Sequence, residues 1–198
     1  MKKGLVVVAH PDDETIWMGG KILKSKDINW TIFSLCRKDD PDRFPKFMKV
    51  CEYYNAKGII SDLEDEGIIN VVKSLPEIEK RVIKELKEKS FDYVFTHGSN
   101  GEYGHDRHKG VHQAIKRLVK DNKIICKKLL FFNYKLDGKK IVNGDSTNFE
   151  EELSPEELKK KKEIITNLYG FAQDSFESLS CLPKETFYES SYSLRTSK

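Results

Sequence analysis

Five histidines carry most of the chemical information in this chain of 198 residues, and four of them, His97, His105, His108 and His112, fall within sixteen positions. The fifth, His10, stands beside Asp12 and Asp13. Zinc sites that do chemistry take three protein ligands from His and Asp/Glu and keep a fourth position for water. His10 and Asp13, three apart over a turn, together with His108 at the opening of a helix, can supply such a mixed set from two neighbouring elements. Asp12 is then free to act as a base. His105, three residues before His108, stands close to the metal without needing to bind it. His97 reads as a strand-end hydrogen-bonder and His112 as a packed helix residue, both outside the site. Taken singly, the aspartates could merely neutralise a helix N-terminus, and His105 and His108 could be surface residues. Their joint occurrence favours a site.

Elements of the right kind stand ready to position these residues. Residues 4–9, Gly-Leu-Val-Val-Val-Ala, are the continuous apolar run of a strand buried on both faces. Pro11-Asp12-Asp13-Glu14 opens a helix with acidic groups in its first turn. Further strands are expected at 30–35, 91–96 and 128–134, and helices at 43–54, from Ser74 as a cap to Leu86, and through Val111, Ala114, Ile115, Leu118 and Val119. Asp137-Gly138 predicts a turn, and Ser154-Pro155-Glu156-Glu157 a capping box. Strands alternating with helices predict a Rossmann-like layered α/β fold with a mainly parallel β-sheet flanked by helices, as one domain over 1–198. Ligands of such sheets bind at the carboxyl ends of the strands, where both histidine segments begin.

The composition removes several classes of function. Net charge is +3, from 35 Lys/Arg against 32 Asp/Glu, and the Lys159–Lys162 run lies among Glu156, Glu157 and Glu163 as a solvated helix face, so no nucleic-acid footprint follows. Cys36, Cys51, Cys126 and Cys181 have no paired spacing and read as buried free thiols of a reducing compartment. No apolar stretch reaches the roughly 20 residues of a transmembrane helix, and the N-terminal one is too short for a signal peptide; a cytoplasmic location is expected. Residues 9–18 lack glycine, which removes dinucleotide and P-loop readings, and no GxSxG elbow occurs.

Val7-Val8-Ala9-His10-Pro11-Asp12-Asp13-Glu14 resembles the AHPDDE signature of the PIG-L/LmbE-like zinc deacetylases, and Gly101-Glu102-Tyr103-Gly104-His105-Asp106-Arg107-His108 resembles their second block, GEYGHPDH. The resemblance covers residues 4 to about 120 and extends weakly to Gln173. It implies a metal-dependent N-deacetylase that removes the acetyl group of an N-acetylglucosamine-containing small molecule. The metal is zinc, with Fe2+ or another divalent ion as a substitute. Carried over by position, His10, Asp13 and His108 are the metal ligands and Asp12 is the general base. His105 stabilises the tetrahedral intermediate or protonates the amine, Tyr103 is an oxyanion donor, and Arg43 contacts the sugar. A homo-oligomer is compatible with these features.

Four positions depart from the family pattern, the first being Asp106 in place of its Pro. Arg107 replaces the usual Asp between the two histidines, which predicts a like charge beside His105 and a lowered pKa there. Lys46 and Asn55 stand where the RxxE helix has Glu and ends in Gly. Two other readings are carried forward: hydrolysis of another amide, such as a thiol-sugar conjugate, and a non-catalytic metal- or sugar-binding module.

Overall fold

Leu5, Val6, Val7, Val8 and Ala9 are fully buried, and they alternate between two separate hydrophobic cores. In the computed structural model, which describes residues 1–191, they form strand β1 (Lys2–Val8) and its exit. Strands β2 (Ile28–Ser34) and β4 (Ser90–Thr96) flank β1 in parallel. Beyond them, β3 (Lys57–Ile60) pairs with β2 and β5 (Ile125–Phe132) with β4, again in parallel. A hairpin of β6 (Tyr134–Asp137) and β7 (Lys140–Asn143) follows, turning at Asp137-Gly138 as predicted. Strands β8 (Phe149–Glu152) and β9 (Lys184–Glu189) complete the main sheet antiparallel, in the order β3-β2-β1-β4-β5-β9-β8.

One face of β1 packs on α1 (Asp13–Lys24), α2 (Arg43–Tyr53) and the π-helical turn Ile164–Leu168 that continues α5 (Pro155–Glu163), through Ile16, Trp17, Phe47, Val50, Ile164 and Ile165. The other face packs on α3 (Val71–Glu85) and α4 (Asp106–Lys120) through Leu75, Ile78, Val82, Val111, Ala114 and Ile115. Burying each such aliphatic side chain contributes about 1.5–3 kcal/mol. A short helix, α6 (Phe176–Leu179), precedes β9. The chain leaves β1 for β2 on one side and later returns to β4 on the other, so the carboxyl ends of β1 and β4 splay apart into a crevice.

Helix α1 breaks at Met18 (φ −151°, ψ 19°), just before Gly19 and Gly20. The break has identifiable partners. Tyr134 donates its hydroxyl to the freed Trp17 carbonyl at 2.7 Å, and Glu185 accepts the amides of Gly20 and Lys21, both at 2.8 Å. Lys161, itself fully buried, neutralises Glu185 at 2.7 Å.

The sequence expectations differ from the structure in three places. Ser74 does not cap α3; Asn70 does, accepting the Lys73 amide at 3.0 Å, while Ser74 donates to the Val71 carbonyl inside the helix. Pro76, a residue that favours helix starts, lies one turn further in than usual. The strand expected through Tyr134 ends at Phe132, and Tyr134 begins the separate hairpin. β3, β8 and β9 have no counterpart among the expected strands; β3 and β8 are four-residue edges, and β8 is Phe-Glu-Glu-Glu, a charged sequence that suits an edge strand and hides its β character. The four cysteines are buried and free, and the Ser154–Glu157 capping box forms.

Candidate metal centre and active site

The turn after β1 places His10 and Asp13 one helical step apart, and the loop after β4 delivers His108 in the first turn of α4. Three donor atoms meet there. His10 Nδ1 is 3.3 Å from Asp13 Oδ2, His108 Nε2 is 3.4 Å from the same oxygen, and the two imidazole nitrogens are 3.3 Å apart. Bonds of about 2.0–2.1 Å to a tetrahedral ion require a ligand–ligand edge of about 3.3 Å, so these donors fit a zinc-like divalent cation.

Each of the three is also held from behind, as metal ligands usually are. Asp13 accepts the Trp17 indole N–H on Oδ1 at 2.9 Å and the His10 amide on Oδ2 at 2.8 Å. Glu102 accepts His108 Nδ1 at 2.6 Å. His10 Nε2 lies 2.9 Å from Asp65, which reaches over from the loop between β3 and α3. Burial disfavours a charge on His10, yet the hydrogen bonds to Asp13 and Asp65 outweigh it and push the ring up to about 10. The site therefore attracts positive charge, which a cation would supply in place of the proton. Asp13 is buried too, but the rings of His108, His97 and His10 hold it well below the ordinary carboxylate range.

Asp12 stands beside this triad at φ 114°, a conformation that favours glycine and costs about 1–3 kcal/mol in other residues. It is at the N-cap of α1 but makes no side-chain capping bond. Glu14, fully buried between Thr15 and Tyr169, instead accepts the Asp12 amide at 3.1 Å and fixes the unusual turn. Freed from capping, the Asp12 carboxylate meets Arg43 Nη1 at 2.8 Å. Burial and the neighbouring Asp13 charge raise its pKa well above the ordinary value, against Arg43 and His10.

His105 is the N-cap of α4: its Nδ1 accepts the Arg107 amide at 3.2 Å, which leaves the proton on Nε2. Burial, then the charge on His10, lowers its pKa. His10, Asp12, Asp13, Arg43, Tyr103 and His105 line one cavity of about 330 Å³, together with Arg37, Asp40, Asp65, Phe176 and Glu177.

A sequence model of one protein family, described as GlcNAc-PI de-N-acetylase (PIG-L), matches residues 5–119, which include every one of the site residues named above from His10 to His108. The chain belongs to the PIG-L family. A similar protein, uncharacterized protein L374 of Acanthamoeba polyphaga mimivirus, is 26% identical over 125 residues; the match spans 56% of the chain and 55%, about half, of that protein. Among solved structures, N,N'-diacetylchitobiose deacetylase from Pyrococcus horikoshii superposes with a TM-score of 0.71 at 15% identity, over 96% of this chain and 84% of its own. GalB, a 4-carboxy-2-hydroxymuconate hydratase from Pseudomonas putida KT2440, superposes at 0.67 with 14% identity, over 96% of both chains. The fold is thus the PIG-L fold, and it hosts more than one reaction.

Within this PIG-L frame, the structure brings together the seven residues singled out in the sequence, with His108 behind the cavity wall. Arg43 lines the cavity but spends Nη1 on Asp12, and its guanidinium lies 4.5 Å from the Phe171 ring centre. Gln173 is exposed in the turn before α6. His112 donates to the His97 carbonyl at 2.9 Å and packs on Phe131, as a packed helix residue should. His97 lies closer to the centre than the sequence suggested: its ring stacks on His108 at 3.8 Å, Nδ1 meets Glu102 at 2.9 Å, and Nε2 accepts the Ala9 amide.

Arg107 turns away from the expected direction. It runs to Glu64 at 3.1 Å and lies 3.9 Å from Asp65, so the lowered pKa of His105 has burial, not Arg107, as its leading cause. Asp106 pairs with Lys109 at 3.0 Å. Lys46 pairs with Asp42 at 2.7 Å, and Asn55 takes φ 54°, the left-handed conformation for which the family's usual Gly is suited. Glu14, Glu102 and Asp65 were not read as site residues. The first two lie inside the two signature blocks, Glu14 directly after the Asp pair and Glu102 between His97 and His105, positions that are themselves a signal; Asp65 sits on a distant loop and leaves none.

Proposed function

We propose that this protein is a divalent-metal-dependent N-deacetylase acting on an acetylated amino sugar or its conjugate, with zinc as the metal. The observation that carries the reading is the closed triangle of donors from His10, Asp13 and His108, with Asp12 and His105 on the cavity side of it. Bound there, the cation would act as a Lewis acid, lowering the pKa of water and polarising the acetamide carbonyl.

The remaining chemistry falls to the chain. Asp12 accepts a proton from the attacking water, and its raised pKa lets it hold that proton until the amine departs. Arg43 fixes the orientation of the Asp12 carboxylate. His105 keeps a neutral ring and offers Nε2–H to the carbonyl oxygen as negative charge develops there. Tyr103, whose phenol is pushed upward by burial and by the nearby carboxylates, stays protonated and donates to the same oxygen. Because the His105 ring is neutral, Asp12 is the group that returns the proton to the leaving nitrogen. Water adds across the amide, the C–N bond breaks, and acetate and a free amine result.

The test is acetate release, with the amine product identified by mass spectrometry, when metal-loaded protein is incubated with N-acetylglucosamine, chitobiose and glycoside conjugates. Release that vanishes with chelator supports the reading. Hydration of an unsaturated tricarboxylate with no acetate from any acetamide would instead place the chemistry with the hydratase that shares this fold.

A further inference from the structure

Arg107 is a charged residue only 5% exposed; it does not itself line the cavity described above, and its side chain runs to Glu64, only its backbone amide meeting the His105 ring. Its Nη2 donates to Glu64 Oε2 at 3.1 Å. Glu64 is in turn the organising group of the loop between β3 and α3: its carboxylate accepts the amides of Glu66, of Ile68 at 3.2 Å and of Ile69 at 3.1 Å. The next residue, Asp65, is the one that reaches His10 Nε2 at 2.9 Å, and Arg37 holds its second oxygen at 3.1 Å.

We propose that Arg107 is a positioning residue, which clasps Glu64 to the first turn of α4 and so holds the 64–69 loop where Asp65 supports His10 and walls the cavity. A second cavity shares Asp65 and His105 with the first and is lined also by Gly67, Asn70, Gly104 and Arg107. The loop thus borders two cavities, and side-chain contacts such as that of Glu64 with Arg107 hold it between them. The charges are matched: Nη2 of the guanidinium donates to Glu64, while its Nε makes no hydrogen bond and lies 3.9 Å from the Asp65 carboxylate. The inference rests on the proposed function only for what Asp65 does; the clasp itself is independent of any reaction.

The experiment compares wild type with Arg107→Met, which keeps length and burial, Arg107→Lys, which keeps charge without the fork, and Glu64→Gln, a change at the more exposed end. Hydrogen exchange is read at the Glu66, Ile68 and Ile69 amides, and divalent-metal affinity by calorimetry. Exchange at those amides should rise by about tenfold or more in Arg107→Met and Glu64→Gln, the change expected from losing a charge-assisted hydrogen bond. Arg107→Lys should recover part of the protection. Metal affinity should fall by about 10- to 100-fold, as when an outer partner of a ligand is lost. The KM for an accepted acetamide should rise more than kcat falls. If Arg107→Met does not fold, Arg107→Gln carries the same readouts. Unchanged exchange at the three amides in a folded variant would overturn the clasp. Raised exchange with unaltered metal affinity would overturn the role of Asp65 while leaving the proposed reaction standing, and normal metal binding without turnover of any acetamide would remove that reaction and leave the clasp.

Discussion

Replacing Glu102 by Gln removes one charge from the most enclosed part of the site. The Glu102 residue is 1% exposed and accepts three donors: His97 Nδ1 at 2.9 Å and His108 Nδ1 at 2.6 Å on Oε2, and the Gly98 amide at 2.7 Å on Oε1. A Gln has one acceptor oxygen, so its NH2 must face either the two ring N–H groups or the Gly98 amide, and at least one buried donor is left unmet. Burial alone would raise the Glu102 carboxyl, but the charge and hydrogen bonds of His97 and His108 prevail and lower it from 4.5 to about 2. That difference, about 2.5 in pKa at 1.36 kcal/mol each, corresponds to about 3 kcal/mol of folding stability. A folded pKa below the unfolded one means that the stabilisation is fully present above about pH 4.5 and is lost as the pH falls towards 2. Urea unfolding of metal-free wild type and Glu102→Gln should therefore differ by about 3 kcal/mol at pH 7, and the gap should narrow as the pH is lowered from 5 to 3.5. Metal affinity should fall about 10- to 100-fold in the same variant. Equal stability at pH 7, or a gap that stays constant down to pH 3.5, would refute the argument.

His10→Ala and His108→Ala should each lose the bound divalent metal in elemental analysis, since either removes one of three protein ligands; full metal content in both would remove the ligand assignment. Asp12→Asn should keep the metal and lose about 10²- to 10⁴-fold in kcat, measured as acetate release, because the amide cannot accept the proton from water. His105→Asn and His105→Ala should both slow acetate release, but thermal unfolding should separate them: Asn preserves the cap on α4, whereas Ala costs about 1 kcal/mol. Equal stability of the two would contradict the capping role of the imidazole.

That His10, Asp13 and His108 lie together was legible because His10 and Asp13 follow the exit of β1 and His108 opens the helix after β4, at the edge where a parallel sheet opens. The strands of the parallel core announced themselves as continuous apolar runs. The supporting groups were less visible. Glu14 and Glu102 act through burial and hydrogen bonding to neighbours, and Asp65 through a loop whose course depends on Glu64 and Arg107, a tertiary contact spanning more than forty residues. The direction of the Arg107 side chain depended on that same contact. The antiparallel edge was hidden for a different reason: β8 is held by its charges, with Lys184 on Glu150 and Glu152, and Lys21 and Lys24 on Glu151, so its sequence carries no hydrophobic alternation.

The carboxylate that completes α1 comes from Glu185, 165 positions after Gly20. During synthesis the first helix therefore emerges long before the residue that caps its second half, and Lys161, which neutralises that carboxylate, also arrives late. At the ribosome, the amides of Gly20 and Lys21 must be satisfied by water until β9 has been made, so nascent chains released before that strand should leave the His10–Asp13 turn on a frayed support. The donor triangle would then be assembled last, although His10 and Asp13 come far earlier in the chain than β9.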